Sequence, residues 1–137
     1  MERVTGIWLD LDKAYVYHIQ KKKNEFLTID SGVEHMNPKG GSGSSTPYGP
    51  QDAISEKHFL ERRKHQLKEY FGNIAEQLGE SMEVVVMGPA EAKVGLYQHL
   101  DGLSNAKFKL HPVMTKDSMT ENQVKAEIRD FYKNLPH

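Results

Sequence analysis

The chain of 137 residues contains no cysteine. This absence excludes a disulfide framework, a thiol nucleophile and a zinc site with cysteine ligands. The sequence also has no apolar run near the roughly 18 residues that a membrane span requires. Its first residues lead into a strand-like segment and show no apolar core of a signal peptide. We therefore expect a cytoplasmic protein that does not contact a membrane.

Net charge is nearly absent as well. The formal net charge is −1 at pH 7, which gives no overall attraction to nucleic acid. The charge is unevenly placed, however, because residues 56–68 carry +3 and the rest of the chain carries −4. The net charge of the whole chain therefore does not reveal this local basic stretch.

Several catalytic motifs are missing too. The seven histidines show no HExxH spacing, and residues 42–45 contain serines without a GxSxG elbow. No Gly-Lys-Ser/Thr closes a P-loop around the nearby glycines. His58 and His65 are seven residues apart, two helical turns, and we interpret them as surface histidines. The sequence predicts neither a metal site nor a cofactor.

A length of 137 residues corresponds to one domain, residues 1–137, with a substantial core. Three segments of strand character come first, at residues 4–11, 14–19 and 26–33. In the first of them, Ile7 and Leu9 alternate with polar or outward-facing positions, as in a strand with two different faces. Their connections are so short that the strands must pair antiparallel.

A segment rich in glycine, serine and proline follows, from about residue 37 to 52. We predict a flexible loop here, and a loop of this length within a domain is usually functional or disordered. Ser55 is a suitable N-cap for a long helix after it. Arg63 falls on or near the apolar stripe of this helix, at its polar end. The stripe repeats at helical spacing and comprises Leu60, Leu67, Phe71, Ile74 and Leu78.

The second half alternates strands and helices. Residues 83–87 form a continuous apolar run, typical of a parallel strand buried on both faces. A helix, a short strand at 108–113 and a last helix follow, with Thr120 and Gln123 as a capping-box pair. The predicted fold is α/β and ribonuclease H-like. It has a mixed five-stranded sheet in βββαβαβα order with helices on both faces.

Two carboxylates stand at the end of the first strand. Asp10 and Asp12 could hold a divalent cation, as in two-metal nucleases. Such a site also needs a carboxylate at the end of the central strand, where this chain has Met87-Gly88-Pro89. The alternative interpretation, which we favour, is a solvated turn.

The basic stretch lies at the start of the long helix. Helical spacing places Lys57, Lys64 and Lys68 on one face, and Arg62 lies beside it. With Lys39 in the preceding loop, this region forms a local positive patch of the kind that binds phosphate backbones without reading bases. An ordinary solvated helix face is the competing interpretation.

Three segments carry a resemblance to a known family. Lys39-Gly40-Gly41-Ser42 connects the third strand to the long helix, which starts as Ser55-Glu56-Lys57-His58-Phe59-Leu60-Glu61-Arg62-Arg63-Lys64. Farther on comes Val84-Val85-Val86-Met87-Gly88-Pro89-Ala90-Glu91-Ala92-Lys93. With the order of elements, these segments resemble the central domain of archaeal and eukaryotic-type peptide-chain release factors and of their Pelota relatives. The similarity extends over nearly the whole chain.

The resemblance implies a stand-alone domain that binds the ribosome or tRNA in translation termination or ribosome rescue. It implies RNA contacts from Lys39, Gly40, Gly41 and Ser42 in the loop. On the helix, the implied contacts are Lys57, Arg62, Arg63, Lys64 and Lys68. Ser42 stands where release factors carry the catalytic glutamine, so we expect no peptidyl-tRNA hydrolysis, although Gln51 lies later in the same loop.

Two other functions remain as alternatives. One is a divergent metal-dependent nuclease that uses Asp10 and Asp12. The other is a module for protein–protein interaction with no role in nucleic-acid binding.

Overall fold

A computed structural model describes residues 3–34, 50–104 and 106–135, with the side chains of residues 50–55 left out. Three strands come first and are followed by three helices that alternate with further strands. The strands are β1 Arg3–Leu9, β2 Lys13–Ile19, β3 Asn24–Asp30, β4 Ser81–Gly88, β5 Lys109–Leu110 and β6 Met114–Thr115. The helices are α1 Pro50–Glu76, α2 Ala92–Asp101 and α3 Glu121–Lys133.

The strands form one mixed sheet in the order β3-β2-β1-β4-β5. β1 pairs antiparallel with β2, and β2 with β3, whereas β4 lies parallel to β1 and to β5. The predicted mixed α/β sheet is therefore confirmed, and so are the antiparallel hairpins at its start. The more detailed ribonuclease H-like assignment stays a prediction.

The predicted fifth strand is divided into two short strands. β5 and β6 both pair parallel with β4, one near its start and the other at its end. The backbone N–H of His111 still donates to Val84 at 2.9 Å, and pairing with β4 resumes at Met114. The predicted strand is therefore interrupted between β5 and β6.

The core lies on both faces of the sheet. On one face, α1 and α2 cover alternate residues of the central strands, among them Ile7, Val84 and Val86. On the other face, α3 packs through Val124 and Ile128 against residues between them, such as Trp8 and Val85. This arrangement confirms the predicted alternation of β1, the burial of β4 on both sides and the helices on both faces.

Trp8 and Gly6 show how closely the sheet packs against α3. The Trp8 side chain is 1% exposed, stacks on Tyr15 and donates its Nε1–H to the Asp117 carbonyl at 3.1 Å. A Cβ added at Gly6 would lie 2.4 Å from a side-chain carbon of Ile128. Position 6 therefore has no room for a side chain.

Helix α1 begins earlier than the sequence suggests. It starts at Pro50, so residues 50–52 of the predicted loop are helical and Ser55 lies inside the helix, not at its cap. Proline suits a first helical position because its fixed φ is helical and no N–H is lost there. Residues 37–49 of the predicted loop lie outside the described residues.

A buried polar cluster joins three strands at the end of the sheet where β4 begins. The Thr5 hydroxyl lies 2.8 Å from Nδ1 of His18 and 2.6 Å from the Ser81 hydroxyl. All three side chains are buried. These polar groups satisfy one another's hydrogen-bonding capacity, as buried polar groups must.

Candidate functional site

The exposed face of α1 carries the predicted lysines. Lys57, Lys64 and Lys68 are all exposed. Seven and four residues separate them, which corresponds to about 10 Å and about 6 Å along the helix axis. No ion pair joins these three to another residue in the described part of the chain. The predicted basic row is therefore present on the surface.

Arg62 belongs to a different side of α1. Its Nε and Nη2 donate to the two carboxylate oxygens of Glu34 at 3.0 and 3.1 Å. Gln66 donates to Glu34 Oε2 at 2.8 Å and accepts from the Glu34 backbone N–H at 2.9 Å. We call Glu34, Arg62 and Gln66 the clasp. It ties the chain after β3 to the middle of α1 and occupies the planar fork of Arg62.

The clasp also affects proton binding. The hydrogen bond from Arg62 lowers the pKa of the Glu34 carboxyl, and the one from Gln66 adds to this effect. In turn, the hydrogen bond to Glu34 raises the pKa of Arg62, and the negative charge of Glu34 adds to this effect. Sequence reasoning missed this contact because Glu34 and Arg62 are 28 residues apart and no local spacing signals their pairing.

Arg63 faces a groove between α1 and α2, as its place near the apolar stripe suggested. Its side chain is half-buried, and its Nε is buried without a hydrogen-bond partner among the described residues. Of the basic residues predicted on the helix, Lys57, Lys64 and Lys68 lie together, while Arg62 and Arg63 point elsewhere.

The loop residues of the predicted site are Lys39, Gly40, Gly41 and Ser42. All four lie outside the described ranges. Their contribution to RNA binding stays a prediction.

Asp10 serves the turn between β1 and β2. Its Oδ1 accepts hydrogen bonds from the backbone N–H groups of Asp12 and Lys13, at 2.8 and 3.0 Å. This geometry is an Asx turn, in which the side chain replaces a backbone acceptor. Within residues 3–34, 50–104 and 106–135, no group of three or more His, Asp or Glu is arranged to hold a metal ion.

The histidines differ in burial. His58 and His65 are exposed on α1, as expected. His111 is buried, with its Nε2 2.6 Å from Glu83 Oε1 and its ring against Phe131. It joins the outer edge of the sheet to α3. No local pattern signals this contact, because the three residues are far apart in the sequence.

The described helices include none that is long and apolar enough to cross a lipid bilayer.

Two solved structures share this fold over nearly the whole chain. An archaeal translation termination factor, aRF1, has a TM-score of 0.59 and 15% identity, over 97% of this chain and 35% of its own. The Pelota protein of Thermoplasma acidophilum has a TM-score of 0.55 and 17% identity, over 98% of this chain and 35% of its own. The chain thus spans about a third of the length of either protein.

The comparison confirms the predicted resemblance at the level of the fold. The chain is built like one part of the archaeal release factor and Pelota structures. No protein-family model and no curated protein matches the sequence. The similarity is therefore detected in the three-dimensional structure and not by comparison of the sequence.

Proposed function

We propose that the protein acts in translation and binds the ribosome or tRNA through the exposed face of α1. One observation carries this proposal: the row of Lys57, Lys64 and Lys68 is solvent-exposed and lies on a fold shared with an archaeal termination factor. Its role would be in termination or ribosome rescue, and it would bind without hydrolysing peptidyl-tRNA.

The lysine row suits contact with a phosphate backbone. A lysine ammonium acts as a compact point charge that does not depend on one fixed geometry. Contacts of this kind position a protein on RNA but do not read its sequence. Arg62 contributes less in this arrangement, because Glu34 already accepts both donors of its fork. Binding should therefore depend strongly on salt and weakly on RNA sequence.

The test is co-sedimentation with purified ribosomes across a series of salt concentrations. We expect Lys64→Glu with Lys68→Glu to lower the affinity by more than about tenfold at low salt. The slope of log affinity against log salt should fall by about 1.5, at roughly 0.7–0.9 for each lost phosphate contact.

The control reverses two charges elsewhere. Lys21→Glu with Lys22→Glu makes the same change in net charge in the exposed turn between β2 and β3. We expect this variant to sediment like the wild type. Equal loss of sedimentation in both double variants would show that net charge matters and the lysine row does not. Sedimentation unchanged in both would overturn the proposal.

A further inference from the structure

A groove separates the first half of α1 from the start of α2. Its volume is about 390 Å³. The α1 wall is made by side chains one or two turns apart, and the opposite wall by the first turn of α2 and the turn after β1. The lining residues include Leu11, Leu60, Arg63, Leu67, Ala92 and Gly95. The groove is separate from the outer row of lysines, apart from Lys64 at its rim.

Apolar side chains form most of the groove. Leu60 is 51% exposed, although it continues the stripe that is buried farther along α1. Leu67 is half-buried and packs on the edge of the core. Phe71 closes the lower end, where a Cβ added at Gly95 would meet its ring at 2.9 Å. The groove therefore ends where the two helices come into contact.

The groove is also lined by a positively charged side chain, that of Arg63. This side chain is half-buried and makes no ion pair within the described ranges. An arginine guanidinium is well suited to bind a carboxylate, because it can donate two parallel hydrogen bonds. Lys64 adds a second positive charge at the rim. A ligand that supplies both an apolar surface and a carboxylate would match these properties.

We propose that this groove binds a short amphipathic segment of a partner protein. Aliphatic side chains of the segment would pack on Leu60 and Leu67, and an aspartate or glutamate would pair with Arg63. From Leu60 to Phe71 the groove runs about 16 Å along the helix axis, enough for about three turns of a bound helix. Recognition of this type uses apolar anchors at helical spacing.

The groove suits a peptide better than a nucleobase. Bases bind protein grooves mainly by stacking on aromatic faces. The aromatic residue here, Phe71, is only 9% exposed, and its ring already stacks on Tyr70.

A random dodecapeptide library displayed on phage provides the test. Selection on the purified protein should enrich peptides that carry two aliphatic residues three or four positions apart together with an aspartate or glutamate. The selected peptides, synthesised and measured by fluorescence anisotropy, should lose at least tenfold in affinity with Leu60→Asp. A similar loss is expected with Arg63→Met, which keeps an apolar stem and removes the cation.

Met82→Asp is the matched control. Met82 is also 51% exposed but lies at the start of β4, outside this groove. We expect this variant to bind the peptides like the wild type. Leu60→Asp should keep the wild-type melting temperature and its sedimentation with ribosomes, which separates this test from that of the lysine row.

Three outcomes would overturn the inference. The first is that no peptide is enriched. The second is that the peptides bind Leu60→Asp as tightly as the wild type, whether or not this variant loses RNA binding. The third is a dimer in analytical ultracentrifugation that Leu60→Asp dissociates, since a second copy would then occupy the groove.

Discussion

Gly6 of β1 and Ile128 of α3 pack closely against each other. A Cβ at position 6 would lie 2.4–2.7 Å from three side-chain carbons of Ile128, and both residues are buried. Gly72 in α1 is the opposite case, because a Cβ there would have nothing within 4 Å. Close packing therefore requires a glycine at position 6, whereas position 72 has room for a side chain.

We predict that Gly6→Ala destabilises the protein by about 1–3 kcal/mol, since overpacking a filled core has this cost. Gly72→Ala should stabilise it by about 0.5–1 kcal/mol through helix propensity. Urea unfolding measures both. In the Gly6→Ala background, Ile128→Val should cost less than in the wild type, because it removes one of the clashing carbons. Equal costs in the two backgrounds would contradict a direct contact.

At the scale of elements, α3 is held by its cap and by two long-range hydrogen bonds. The Thr120 hydroxyl accepts from the Gln123 backbone at 3.2 Å, and the Gln123 side chain accepts from the Thr120 backbone at 2.9 Å. The Tyr132 hydroxyl donates to the Thr5 carbonyl at 2.6 Å, and Arg129 donates to the Tyr17 hydroxyl at 3.2 Å. The helix is thus fixed at both ends.

We predict that Thr120→Ala lowers the free energy of unfolding by about 1 kcal/mol, the usual cost of losing an N-cap side chain. Ser118→Ala, two residues earlier and exposed, is the control and should change little. Chemical denaturation gives both values. An unchanged free energy of unfolding in Thr120→Ala would contradict a stabilising capping box, and an equal loss in Ser118→Ala would show that the effect is not specific to the cap.

Element types could be predicted from the sequence, and some element ends could not. The capping box marked the start of α3 correctly because its signal is local. The start of α1 was placed too late, since Ser55 has the chemistry of a cap but Pro50 has the conformation of a first turn. The division of the last strand is seen only in its pairing with the distant β4, and a local sequence pattern does not show that pairing.

For the whole molecule, the buried His18 makes stability depend on pH. Burial lowers the pKa of His18, and the nearby Arg3 lowers it further. The unfolded chain therefore takes up a proton near the ordinary value of 6.5, whereas the folded protein does so only at lower pH. The contribution of His18 to the free energy of unfolding is fully present above pH 6.5, the pKa in the unfolded chain. It falls as the pH drops below 6.5, until the folded protein also binds the proton.

We expect the melting temperature to fall between pH 8 and pH 5, and to fall less in His18→Asn. The asparagine amide can keep a hydrogen bond to Thr5 but does not titrate. If His18→Asn shows the same fall as the wild type, His18 is not its source.

The candidate site was only partly predictable for the same physical reason as the fold. Lys57, Lys64 and Lys68 share a face because they are seven and four residues apart, so helical spacing was enough to group them. Glu34 and the groove are formed by residues distant in the sequence. Packing brings such residues together, and a local pattern does not report it.

The position of Trp8 makes the two sides of the core separately observable. It is the only tryptophan of the chain, and it lies wholly on the α3 side of the sheet. Its fluorescence emission should shift to longer wavelength when α3 leaves the sheet and water reaches the indole. Loosening of α1 and α2 alone should leave that emission unchanged. The protein therefore carries an intrinsic optical reporter of one half of its core.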